Sequence, residues 1–179
     1  VHVVQVDERI APPGHPDRNL TGLQQDLLDH VAIYRTRIHP MPVEVPELDQ
    51  AARRYALELR ATAGAPPVID LTHLGIGADG HTASLLPGDP AEHVVDSDVA
   101  LTGAYDGRRR MTLTYPILNR SRQILWIVSG REKAEPLARL LAGDRSIPAG
   151  RVLRTQALVL ADCAAARQGE PSGVRDVLP

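Results

Sequence analysis

An apolar run, Val68 to Leu74, stops at Gly75-Ile76-Gly77-Ala78-Asp79-Gly80, and His81 follows at once. A β-rich run that ends in glycines reads as the carboxyl end of a strand in an α/β sheet. That is the edge on which open sheets of this kind bind ligands. Glycine lets a backbone turn with positive φ and approach a ligand closely. Histidine exchanges a proton near neutral pH. The stretch from Leu74 to Pro87 is therefore the first candidate for a catalytic loop.

The remaining pattern alternates strands with helices. Val1 to Val6 reads as a buried strand with Asp7-Glu8-Arg9 at its carboxyl end, and a proline-rich loop spans residues 11–19. A helix is predicted from an Asn19 or Thr21 cap to about His30, with Leu20, Leu23, Leu27, Leu28 and Val31 on one face. A second is predicted over 47–62, with Ala51, Tyr55, Leu57 and Leu59 inside and Gly64 as its stop. Strands follow at Met111–Thr114, Ile124–Val128 and Ala157–Leu160. The helix over 131–141 carries Lys133 in its first turn, and an alanine-rich helix follows Asp162. Residues 169–179 read as a polar, frayed tail. The alternation predicts a single α/β domain over 1–179, with a mostly parallel sheet covered on both faces. Right-handed crossovers bring the ends of parallel strands to one edge. The Asp7–Arg9 segment, the glycine loop and the Gly130–Lys133 segment are expected to converge there.

Composition narrows the partners. With 179 residues, 43% hydrophobic and 23% charged, the chain is long enough for a proper core. Its net charge of −2 and 3% aromatic content give no reason to bind nucleic acid or an anionic membrane. No apolar run approaches a bilayer span and no signal-peptide pattern opens the chain, so a cytoplasmic location is the expectation. Cys163 is the one cysteine and has no partner for a disulfide. Val1 opens directly into a strand, which suggests that sequence upstream is absent.

Several chemistries compete for the loop. Gly75 to Gly80 matches GxGxxG after a strand, but a dinucleotide site needs a long helix starting in the loop. Pro87, Gly88 and Pro90 break any such helix within about two turns. His81 is read as functional because it follows Asp79-Gly80 at a strand end, with Asp79 near enough to orient its ring. Arg9 offers a planar fork suited to phosphate. Lys133 is the only lysine among twenty Lys and Arg residues. A cation at a helix amino end is unfavourable unless an anion binds there. The other histidines and Cys163 show no metal-ligand spacing, and Ser84 is not in a GxSxG elbow.

Taken in order, these segments resemble the 6-phosphogluconolactonase family, within the wider group that includes glucosamine-6-phosphate deaminase. Val6-Asp7-Glu8-Arg9 with Pro12 and Asn19 is similar to its DER…P…SN segment, and Gly75 to Pro87 to its GxGxDGHxASLFP signature. Arg110 to Thr114 with Pro116 and Leu118-Asn119 resembles RxTLTxPxLN. Gly130-Arg131-Glu132-Lys133-Ala134 resembles GxxKA, and Leu160 to Ala165 the closing strand–Asp–AA element. Arg18, Leu86 and Leu158 depart from residues usual in the family. Deaminases are expected to carry AFNEP where this chain has Ala83-Ser84-Leu85-Leu86-Pro87, so Leu86 stands where their acid would be.

The resemblance implies a Rossmann-like, three-layer α/β/α fold of the NagB/RpiA/CoA-transferase-like kind. It is expected to be amino-terminally incomplete, because the family's upstream strand–helix region, with its SGG-type phosphate loop, is not in these residues. It implies hydrolysis of 6-phospho-D-glucono-1,5-lactone to 6-phospho-D-gluconate, with His81 as general base on water. Arg9, Lys133, Asp79, Gly77 and Gly80 are the expected substrate-binding positions. Neither a cofactor nor a metal is expected, because a lactone is already an activated ester. The partner is the small sugar-phosphate lactone. The alternatives are an impaired or inactive sugar-phosphate binder and, further off, an amino-sugar-phosphate deaminase.

Overall fold

The computed structural model describes residues 1–166. The tail expected at 169–179 lies outside the described residues. In chain order the elements are β1 (Val3–Val4), β2 (Asp7–Arg9), α1 (Asn19–Asp26), β3 (Ile38–His39), α2 (Leu48–Ala63), β4 (Leu71–Leu74), β5 (Val99–Leu101), β6 (Arg110–Leu113), α3 (Tyr115–Arg120), β7 (Gln123–Val128), α4 (Ala134–Ala142), β8 (Ala157–Ala161) and α5 (Cys163–Ala166).

Parallel pairing dominates, as the alternation predicts. β4, β7 and β8 form one parallel sheet in that order, and β1 pairs with β3 in parallel. The register sets Trp126 opposite Leu74 on one side and Val159 on the other, and Trp126 is fully buried. β2, β6 and β5 form a separate antiparallel ladder. β5 escapes sequence reading because Val99-Ala100-Leu101 is too short to show a period.

The single strand expected over Val1–Val6 is broken, and the cause is local. The Tyr55 hydroxyl meets both backbone groups of Gln5, accepting from its N–H at 2.9 Å and sharing its one proton between the Gln5 carbonyl at 3.2 Å and that of His39 at 3.1 Å. Those groups are then closed to a sheet ladder. The chain crosses here from β1 to β2. Asp7-Glu8-Arg9 accordingly is a strand itself, not the loop after one, and it runs against Thr112 to Arg110 of β6.

Helix α2 forms as expected and ends at Gly64, whose φ of +93° an L residue rarely adopts. Ala51, Ala52, Tyr55 and Leu59 face the core, but Leu57 is 62% exposed, two positions round the helix from Tyr55. α1 is shorter than predicted and buries none of its side chains, and Leu27 and Val31 are exposed. The His30 ring bonds the Gln25 carbonyl, the group that another α-turn would use, and Leu28–His30 tightens into a 3₁₀ turn. Neither Asn19 nor Thr21 caps α1. The Glu8 carboxylate does so from β2, accepting from the Asn19 and Leu20 N–H groups at 2.8 and 3.0 Å.

One hydrophobic cluster joins α2, the inner faces of β4 and β7, the β5–β6 pair, α3 and α4. Coverage on both faces does not hold for the β4–β7–β8 sheet among the described residues. Leu71, Ile127, Leu158 and Leu160 on its outer side are each about half exposed. Parallel sheets are ordinarily covered on both faces. Among the described residues no helix is long and apolar enough to cross a membrane.

Candidate active site

A cavity of about 250 Å³ opens at the carboxyl ends of β4 and β7, lined by Val6, Asp7, Leu74 to Gly77, His81, Ala83 and Lys133. Three distant segments meet there: the loop after β4 and the turn after β7, which parallel topology brings to one edge, and the start of β2, which comes from the antiparallel ladder.

The loop after β4 is shaped around His81. The Gly77 N–H donates to the His81 carbonyl at 2.8 Å, and the Gly80 N–H to the Gly77 carbonyl at 2.9 Å. A Cβ on Gly77 would overlap the His81 ring, so only glycine leaves the ring its place. Gly80 has φ +83° and packs against Ile147, while its carbonyl accepts from the Ala149 N–H at 3.0 Å. Ala83 holds the left-handed φ of 49°, a strained value for a residue with a Cβ. That turn sends Ser84 inward, where its hydroxyl donates to Asp7 Oδ2 at 2.6 Å. No α-helix starts between Gly75 and Pro90, which removes the dinucleotide reading.

His81 and Asp79 form the chemical pair. Nδ1 of His81 lies 2.6 Å from Oδ1 of Asp79, and the same oxygen accepts the His81 backbone N–H at 3.2 Å. With Asp79 ionised, the neutral ring carries its proton on Nδ1 and keeps a lone pair on Nε2. Burial works against the Asp79 charge. The His81 N–H and ring, together with the Tyr105 hydroxyl at 3.1 Å on Oδ2, outweigh it and hold the carboxyl below its ordinary range.

Lys133 reaches the same cavity from the turn after β7. Gly130, at φ +99°, starts a 3₁₀ turn over Arg131–Lys133, so Lys133 stands at the amino cap of α4. Asp162 fixes that turn by accepting from the Gly130 N–H at 3.1 Å, and it also accepts from the Ala165 N–H at 2.7 Å. Lys133 forms no ion pair among the described residues.

Asp7 is a lining residue that sequence reasoning passed over in favour of its neighbour Arg9. Alternation along β2 is the signal that was available: Asp7 and Arg9 share a face, and Glu8 takes the other. Burial pushes the Asp7 carboxyl above its ordinary range, against the Ser84 hydroxyl and the Arg110 charge. Arg9 stands apart from the cavity lining and donates to the Asp17 carbonyl at 3.2 Å. Arg18, a departure from the family pattern, is buried between Glu8 at 3.0 Å and Glu44 at 2.8 Å. Tyr105 and Arg110 also approach the site, and their spacing in the sequence assigns neither a place in it. Among the described residues no group of three His, Cys, Asp or Glu side chains is placed to hold a metal ion.

Parallel strands that carry the histidine loop and the lysine turn at their ends define an α/β protein with a candidate ligand site on the sheet edge. Residues 1–160 match the family described as glucosamine-6-phosphate isomerases/6-phosphogluconolactonase, and the chain belongs to it. A 6-phosphogluconolactonase of Synechocystis sp. is 40% identical over 148 residues, which take in 80% of this chain and 61% of that one. The chain thus spans about three fifths of that relative. The crystal structure of a 6-phosphogluconolactonase from Thermotoga maritima superposes with a TM-score of 0.78 at 29% identity, over 89% of this chain and 71% of that one. A monomeric glucosamine-6-phosphate deaminase superposes with a TM-score of 0.79 at 22% identity, over 92% of this chain and 73% of that one, so the two activities share this fold.

Proposed function

We propose that this chain hydrolyses 6-phospho-D-glucono-1,5-lactone to 6-phospho-D-gluconate. The observation that carries the reading is the Asp79–His81 pair on a cavity that also holds Lys133. Nε2 of His81 takes a proton from water as its oxygen attacks the lactone carbonyl. Asp79 stabilises the imidazolium that forms. That imidazolium gives its proton to the ring oxygen as the C1–O bond breaks. Lys133 binds the phosphate or the developing oxyanion, Asp7 faces a sugar hydroxyl, and Gly77 and Gly80 shape the loop against the substrate. Arg9 reaches the phosphate by turning from Asp17.

Leu86 favours lactonase over deaminase chemistry. It is buried, 3% exposed, where the deaminase pattern carries an acid. The second reading is a sugar-phosphate binder without turnover, in which Lys133 holds the anion on the same cavity.

His81→Ala is the test. The variant is expected to keep its circular dichroism and melting temperature and to lose roughly 10²–10⁴-fold in kcat/KM, the usual size of a general base's contribution. Turnover at the wild-type rate would end the assignment. Titrating 6-phosphogluconate into the wild-type chain separates the binder, which would give affinity with no hydrolysis above the spontaneous rate.

A further inference from the structure

The hairpin between β5 and β6 closes on a two-residue turn. Asp106 and Gly107 both hold positive φ, 52° and 75°, and Tyr105 and Arg108 exchange backbone bonds of 2.9 and 3.2 Å. This is the primed geometry that matches strand twist. It aims Tyr105 at the histidine loop. The Tyr105 hydroxyl donates to Oδ2 of Asp79 at 3.1 Å, and its ring meets the His81 ring edge-on at 5.7 Å.

Arg110 backs the same ring, its guanidinium carbon 4.9 Å from the Tyr105 centroid. Arg110 is only 5% exposed, forms no ion pair among the described residues, and leaves its Nε without a hydrogen-bond partner. A buried cation outside an ion pair is costly. What offsets the cost is the nearby Asp7 carboxyl, the Tyr105 face and a 3.5 Å contact from Nη1 to the Ser84 hydroxyl, which itself donates to Asp7. An unbroken chain of contacts therefore runs His81–Asp79–Tyr105–Arg110–Ser84–Asp7, joining two groups that line the cavity.

We infer that Tyr105 and Arg110 are positioning residues for the site: Tyr105 stops the Asp79 carboxylate from rotating away from His81, and Arg110 holds the Tyr105 ring. The inference rests on the reading of His81 as the base. Asp79 is a third exposed and has room to turn, and the Tyr105 hydroxyl is the side-chain donor on its second oxygen. Tyr105 itself is 36% exposed, so its hydroxyl has little to do for the core.

Tyr105→Phe tests this with two readouts. In lactone hydrolysis kcat should fall roughly three- to tenfold while KM stays within about twofold, the size of one hydrogen bond to a charged group near a surface. In an Asp79→Asn background the same change should add nothing, because Tyr105 acts through Asp79. Two-bond ¹H–¹⁵N spectra of the His81 ring should show the Nδ1–H tautomer in the wild type and a mixture in Tyr105→Phe. Arg110→Met should reproduce both effects, with Arg110→Lys recovering part of the rate. If Arg110→Met does not fold, Tyr105→Phe alone decides. Additive losses in the double variant, or an unchanged tautomer, would overturn the inference. If the wild-type chain hydrolyses no lactone, the base reading fails, and the tautomer spectra still decide whether Tyr105 holds the pair.

Discussion

Gly77 lies so close beneath the His81 imidazole that the ring fills the space a Cβ on Gly77 would need, with the Asp79 carboxylate 2.5 Å from the same point. Gly77→Ala must therefore push the ring or its partner aside. The expected cost is about 1–3 kcal/mol of stability from overpacking, and kcat should fall by more than tenfold, since a misplaced base loses on the order of 10²-fold. Gly75→Ala is the control. Its Cβ would meet nothing within 4 Å, and that variant should melt close to the wild type. Thermal melts and steady-state kinetics on the two proteins check the contrast. Equal behaviour would show that the loop relaxes around the methyl.

Lys133 brings a half-buried positive charge to the cavity, with no acid paired to it among the described residues. Lys133→Met keeps the packing of the side-chain stem and removes the charge. If Lys133 binds the substrate phosphate, KM should rise roughly ten- to hundredfold, the range for one charge-assisted hydrogen bond, with kcat changing less. If it instead steadies the oxyanion, kcat falls and KM holds. The split between the two constants assigns the role.

Much of this site was legible in the sequence because its parts are local. The strand ending at Gly75, the glycines that seat His81 and the turn that presents Lys133 are each written within a few consecutive residues. What was not legible depends on pairs far apart in the chain. Tyr105 meets Asp79 only because the antiparallel hairpin returns over the loop, and Asp7 faces the cavity only because β2 registers with β6. Glu8 reads in the sequence only as the end of a strand, yet it caps α1 from eleven and twelve residues away. The break at Gln5 has the same origin, a tyrosine hydroxyl fifty residues downstream.

Glu8 is fully buried and shared among Arg18, Gln5 and the first N–H groups of α1. Burial opposes its charge, but Gln5, Leu20, Arg18 and Asn19 together hold its carboxyl below the ordinary 4.5. A depressed acid adds stability that is present above pH 4.5 and is lost as the pH falls through the folded value. Glu8→Gln should cost about 3 kcal/mol at pH 7, the lower end for breaking one partner of a buried pair. Its melting temperature should approach that of the wild type as the pH falls below 4.5. A constant gap down to acid pH would mean that the Glu8 charge contributes nothing.

Asp7 carries the opposite sign. Burial raises its carboxyl above the ordinary 3.8 even with Ser84 and Arg110 beside it. The folded state therefore binds more protons than the unfolded chain between those two values, and stability falls as the pH rises through them. The charge that Asp7 takes on when it ionises thus works against the fold. Asp7→Asn removes it and keeps an amide oxygen to accept from Ser84. The variant should melt at or above the wild-type temperature at pH 7, with the difference vanishing as the pH approaches 3.8. Function should move the other way, with KM for the lactone rising about tenfold as the carboxyl that meets a sugar hydroxyl is lost. Differential scanning calorimetry across pH, set beside initial rates, measures both. A variant that is less stable at pH 7 and unchanged in KM would make Asp7 a structural residue whose place on the cavity wall is incidental.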